Sequence, residues 1–218
     1  MKRRRRRRRG DKMWARIRES MFSPSVTFRA SKDEKFGDAL KYYLTLLAIF
    51  SLLFGVVTAV ILLSPPVQGI IRSMSTGVYP TELFSLTIPN VAMLGVVLFI
   101  STFIAGIIAI FVLGIWLHIW AYAFGGRRGL AETIKALIYS STPLLILGWI
   151  PGVNIIGVIW AVLLVLVGLI EFQEMYSGRS ILALLAALLV PLAIIGAIAA
   201  GAPAILSYQI VFSYASLP

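Results

Sequence analysis

The chain has 218 residues, 59% of them hydrophobic and 13% charged, about half the charged share of an ordinary soluble domain. Its net charge of +11 is local, because residues 1–19 hold eleven of the twenty cations and two of the nine acids, which leaves +2 for the rest. With no cysteine and one histidine, His118, the composition excludes disulfide frames, thiol chemistry and multi-histidine metal sites.

The first ten residues contain the unbroken run Arg3, Arg4, Arg5, Arg6, Arg7, Arg8 and Arg9. Such a block repels itself and reads as an arm that does not fold alone. No apolar stretch follows until about Ala39, too far away for a secretory signal, so the N-terminus is expected to be retained. Residues 11–22 place Met13, Trp14, Ile17 and Met21 on one helical stripe, with Lys12, Arg16, Glu19 and Ser20 mostly elsewhere. This pattern predicts a short amphipathic helix lying at a bilayer surface. Residues 23–38 read as a linker, broken at Pro24, with Phe28 and Phe36 as interfacial anchors.

Five apolar stretches follow, over residues 39–63, 91–124, 130–147, 153–175 and 180–202. All but the third, which is 18 residues long, exceed a hydrocarbon core about 30 Å thick at about 1.5 Å per helical residue, and the third comes close. The fold class is therefore all-α: a polytopic membrane bundle of about five transmembrane helices, preceded by the interfacial helix. Ser64-Pro65-Pro66 ends the first span, and residues 64–90 read as a loop punctuated by Pro80 and Pro89, with residues 83–88 able to dip into the interface. The second span carries an aromatic belt of Trp116, Trp120 and Tyr122, with His118 among them as an interfacial residue, and closes on a left-handed cap at Gly125-Gly126. The third is the weakest, interrupted by Ser140, Ser141, Thr142 and Pro143; were it re-entrant the crossings would number four. The short turn 148–152 makes the third and fourth spans an antiparallel hairpin. Pro191 kinks the fifth span and Pro203 ends it, leaving 204–218 as an uncharged interfacial tail.

Orientation follows from the cations. With the N-terminus inside, nineteen of the twenty lie on the cytoplasmic side and only Arg72 lies outside. Five crossings put the C-terminus outside. Small residues at helical spacing, such as Ala193, Ala197 and Gly201, Gly157 and Ala161, and Gly106 and Gly114, predict close helix packing within the bundle or a homo-oligomer face.

Two sets of residues are candidate sites. The first is the basic arm with its helix: Arg3 to Arg9, Lys12, Trp14 and Arg16, which suit anionic lipid headgroups at about 1 kcal/mol per cation near the surface. Nucleic-acid phosphates are the lesser alternative. The second is a polar site at the cytoplasmic rim, from Glu132, Lys135 and Glu171, with Ser140, Ser141 and Thr142 before Pro143. Charges and hydroxyls inside a membrane are functional suspects, although helix ends let them snorkel and hydroxyls bond back to their own helix. No nucleophile–base pair, metal-ligand spacing or phosphate loop is discernible, and no cofactor is expected.

Several stretches in order resemble the Yip1 family. They are the segment Ser23-Pro24-Ser25-Val26-Thr27-Phe28, the turn Phe124-Gly125-Gly126, and the run Ala136-Leu137-Ile138-Tyr139-Ser140-Ser141-Thr142-Pro143. Ile150-Pro151-Gly152-Val153, Ile159-Trp160 and the polar turn Tyr176-Ser177-Gly178-Arg179-Ser180 complete the set. The resemblance covers about residues 20–200 and implies a five-helix bundle with a cytoplasmic N-terminus. Eukaryotic members act in vesicle trafficking and contact Rab-type GTPases. Their Asp-Leu-Tyr-Gly-Pro stretch has no counterpart here, and the long basic start looks more like the prokaryotic branch. Only fold and placement are therefore carried over. The expected organisation is an arm and interfacial helix over 1–22 and a membrane domain over 23–218. The expected function is a non-enzymatic organiser, scaffold or recruiter of partners at the cytoplasmic leaflet; the alternative is a small transporter or channel with a polar path near Ser140–Pro143 and Glu171.

Overall fold

The computed structural model describes residues 15–74 and 91–215, with side chains described over 15–70 and 91–197. All the described elements are helices. They are α1 (residues 15–22), α2 (Pro24–Ala30), α3 (Phe36–Leu62), α4 (Pro65–Met74), α5 (Val91–Ala123), α6 (Leu130–Ser140), α7 (Thr142–Leu147), α8 (Asn154–Phe172) and α9 (Ser177–Ala215). Among the described residues, five helical stretches are long and apolar enough to span a membrane: α3, α5, α6 with α7, α8, and Ser177–Ala197 of α9. The third span is two helices in tandem. Ser141 N–H still bonds Leu137 O at 2.9 Å, and Leu145 N–H bonds Ser141 O at 2.9 Å. Pro143 falls in the first turn of α7, where its missing N–H costs no bond.

Three expectations are corrected. Residues 23–38 are not a linker: Pro24 starts α2 instead of only ending α1, because a proline at the first helical position has the φ a helix needs. Residues 64–90 open with a helix, α4, led by Pro65-Pro66. Pro203 does not end the last helix, which runs on to Ala215; apolar surroundings favour a helix that satisfies its own backbone. The proposed dip at 83–88 lies outside the described residues.

Close backbone approach holds the spans together. α3 packs along α5. A Cβ on Gly55 would stand 2.9 Å from Gly95 O and 3.0 Å from Phe99 N, so only glycine fits. α8 lies against α6 and α7 as the short turn predicts, with Gly168 at Ala136 and Gly157 at the carbonyl of Pro143. α9 joins α5 through buried Ala183 and Ala187, and Trp116 Nε1–H bonds Ala187 O at 2.9 Å. Further along α9, Ala193, Gly196 and Ala197 are exposed, so that part of the stripe does not pack against the described residues.

The turn after α5 forms as expected. Gly125 adopts φ 106°, Gly126 N–H bonds Ala121 O at 2.7 Å and Gly125 N–H bonds Tyr122 O at 3.2 Å, which together satisfy the last carbonyls of the helix. This turn, the 31–35 turn, the start of α6 and the end of α8 bring Arg128, Lys32 and Lys135 together at one end of the bundle.

Candidate functional site at the basic end of the bundle

Residues 15–35 form a helical hairpin fastened to that end. Its bend is at Ser23, whose φ of −138° and ψ of 57° interrupt the helix between α1 and α2. Arg16 Nη1 meets Glu34 Oε1 at 3.0 Å and closes the open end of the hairpin. Near the bend, Phe22 packs edge-on against Trp160, 5.5 Å between centroids, three turns along α8 from Phe172. α2 then returns toward the basic end, where Phe28 packs on Phe172 at 5.7 Å and Tyr139 at 6.0 Å. Phe28 is fully buried and is not an interfacial anchor. Its neighbours are aromatic: Tyr139 stacks on Phe172 at 5.8 Å and on Tyr42 at 5.6 Å. The stripe assigned to a bilayer surface faces protein where it is described: Ile17 is buried and Met21 packs with it in the bundle core, while Met13 and Trp14 lie outside the described residues. Phe22 and Val26, outside that stripe, stay 68% and 69% exposed.

Ion pairs fix the returning arm. Arg29 forks onto Glu171, Nη2 to Oε1 at 2.9 Å and Nε to Oε2 at 3.2 Å. That bond raises the Arg29 pKa. Lys32 and Arg128 converge on Glu174, with Arg128 Nη2 3.0 Å away. The bond from Lys32, with the charge of Arg128, holds the Glu174 carboxyl below its usual range. Glu174 follows α8 with φ 53°, a left-handed position where glycine is the usual residue. Lys135, its side chain 3% exposed, spends its three protons on Lys32 O at 2.7 Å, Glu34 O at 3.1 Å and Glu132 Oε1 at 3.1 Å. Tyr139 O–H donates to the Glu34 carboxylate.

A second polar chain links α5, α6 and the end of α8. Gln173 Nε2–H donates to Gly129 O at 2.7 Å and Thr133 Oγ1 at 2.8 Å, while its Oε1 accepts from Arg128 N–H at 3.1 Å. The Thr133 hydroxyl also lies 2.8 Å from His118 Nδ1, so the imidazole is hydrogen-bonded to α6. His118 is thus half-buried in a hydrogen-bonded chain and is more than a member of an aromatic belt.

The sequence-predicted residues divide as follows. Arg3 to Arg9, Lys12 and Trp14 lie outside the described residues. Arg16, assigned to headgroups, is engaged by Glu34 and lies 5.7 Å over the ring of Tyr42. Glu132 and Lys135 pair as expected, but Glu171 does not join them, because Lys135 has used its donors and Arg29 takes Glu171. The hydroxyls are turned onto their own helices: Ser141 Oγ to Ile138 O and Thr142 Oγ1 to Tyr139 O, both at 2.8 Å. Thr142 also meets the Tyr42 hydroxyl at 3.1 Å, and Ser140 is buried against Gly168. Among the bonds described, none joins these hydroxyls to Glu171, which Arg29 takes. Arg29, Glu34, Thr133, Tyr139, Gln173 and Glu174 were missed. Only Glu174, a charge at the end of a span, carried a signal in the sequence.

The site is built to hold elements together. Among the described residues, no three carboxylate or imidazole side chains converge to hold a metal ion. The model of the Yip1 domain matches residues 18–200, most of the chain and all of the hairpin from Arg18 onward. No curated protein and no solved structure matches the chain. With five apolar spans and a family match over this length, the chain is a polytopic integral membrane protein that belongs to the Yip1 family.

Proposed function

We propose that the protein is a non-enzymatic organiser of the bilayer, acting on the cytoplasmic leaflet through its N-terminal hairpin and basic arm. The observation that supports this reading most is the α1–α2 hairpin. It is locked to the bundle by Phe28, Arg29 and Lys32, yet presents Phe22 and Val26 outward beside the lipid-facing Ile159 and Leu163 of α8. In this reading the hairpin sits in one leaflet only, with residues 1–14 leading from it to the headgroups. The arginines bring the cytoplasmic surface to the protein, and the rigidly held hairpin displaces acyl chains on that side. The charge distribution supports a cytoplasmic N-terminus and an outside C-terminus.

The test is reconstitution of the full chain into anionic vesicles of mixed size. The expected result is enrichment in the smaller, more curved vesicles, lost when Phe22 and Val26 are both changed to serine. Equal partitioning of both proteins would end the reading. The same vesicles should stay tight to ions and small solutes. A saturable flux abolished by Glu171→Gln would replace an organiser with a transporter. Removing residues 2–9 should weaken recruitment of anionic lipid around the protein, with the difference shrinking at high salt.

A further inference from the structure

Between α1 and α7 lies an open groove of about 530 Å³, lined by Ala15, Ile17, Arg18, Met21, Phe22 and Ile146. Five of these residues are apolar and one is a cation. The walls come from two parts of the chain far apart in sequence: the hairpin arm supplies all but Ile146, which stands on the third span. Both walls are anchored, Ile17 in the core and Ile146 packed against it, so the groove is a fixed feature of the docked hairpin.

Arg18 decides what the groove suits. It is exposed, and among the described residues it has no carboxylate partner, in contrast to Arg16, Arg29, Lys32 and Lys135 nearby, all of which are bonded. An arginine beside apolar walls on a lipid-facing hairpin needs an anion or water for its guanidinium, and the planar fork matches a phosphate. An apolar slot with a free guanidinium on its wall has the two parts of an anionic phospholipid: a chain to fill the slot and a phosphodiester to meet the cation. A second protein copy would have to bring both an apolar ridge and an acid, whereas lipid surrounds this surface already.

We infer that the α1–α7 groove holds one anionic phospholipid, its acyl chain against Ile17, Met21, Phe22 and Ile146 and its phosphate on Arg18. The lipid completes the gap between hairpin and bundle. The inference rests on the reading that the hairpin sits in the leaflet, and deepens it by naming a bound ligand. It differs from headgroup contact by the arginine run, which needs no groove.

The experiment uses the full chain in nanodiscs containing phosphatidylglycerol or phosphatidylcholine, each with a diazirine on its acyl chain, followed by illumination and peptide mapping. Label from phosphatidylglycerol is expected on the peptides bearing residues 15–22 and Ile146, with much less from phosphatidylcholine. Arg18→Gln, a surface change that leaves the packing intact, should lower phosphatidylglycerol labelling about tenfold, the loss of one charge-assisted contact. Ile146→Trp should block both lipids, with an unchanged melting curve confirming the fold. Deletion of residues 2–9 should leave groove labelling in place. Equal labelling by the two lipids, labelling that survives both substitutions, labelling that disappears with the arm, or crosslinks joining two copies would each overturn the inference. Groove labelling without curvature preference would instead sink only the proposed function.

Discussion

Lys135 shows how much one side chain can carry in this structure. Its ammonium reaches two carbonyls of the 31–35 turn and Glu132, and almost no water. Replacing it by alanine leaves Glu132 and both carbonyls without their donor. The expected loss is about 3 kcal/mol, within the range for breaking one side of a buried pair. Lys41 makes an ion pair of similar length with Asp38, but both side chains are mostly exposed. Lys41→Ala should change stability by less than about 1 kcal/mol. Thermal unfolding of both variants in the same detergent checks the contrast, and equal melting points would contradict it. Glycines divide in the same way. Gly55→Val would drive its side chain into the backbone of α5 and should cost about 1–3 kcal/mol. A Cβ at Gly196 meets nothing within 4 Å, so Gly196→Ala should be neutral or stabilising by up to about 1 kcal/mol.

At the scale of elements, the hairpin is attached by groups with different sensitivities. Glu174 receives Lys32 from the hairpin and Arg128 from the turn after α5. Its pKa is depressed in the folded protein, so its contribution is complete above its ordinary value near 4.5 and is lost as pH falls through the lowered one. Acidification below about 4.5 should therefore loosen the hairpin from the end of α8 before the spans separate. Spin labels placed on α2 and after α8 would read the widening distance; a distance constant down to pH 3 would contradict it. Phe28 supplies the part of the attachment that does not titrate. Phe28→Ala empties a fully buried site beside Tyr139 and Phe172 and should cost about 3–5 kcal/mol. The hairpin should then become accessible to protease near Lys32 and Lys35 at neutral pH. Protection equal to that of the unchanged protein would show that the ion pairs suffice.

For the whole molecule, the spans were legible and their embroidery was not. Long apolar runs can only be satisfied by helices in lipid, so α3, α5, α8 and the first part of α9 stood out in the sequence. The Gly125 turn was legible too, because a left-handed cap needs that residue type. The hairpin was not. Residues 11–22 have the period of a surface helix, and period alone does not say whether Ile17 meets lipid or protein; Pro24 reads as a break, which hides α2 and the seat of Phe28. The polar chain through His118, Thr133 and Gln173 was hidden for another reason: its members are 15 and 40 residues apart and none is unusual in isolation. The candidate site suffered most, because the choice of Arg29 over Lys135 for Glu171 depends on which carbonyls the 31–35 turn brings within reach.

The bonds from Arg29 to Glu171 and from Lys32 to Glu174 each join residues 142 positions apart. The hairpin is made before any of the five spans, yet its seat on Phe172 and Glu171 exists only after the fourth span has been made. It therefore finds its place late. During that interval Phe28 lacks Phe172, and Arg29 and Lys32 lack Glu171 and Glu174, so whatever shelters them until α8 arrives must release them again.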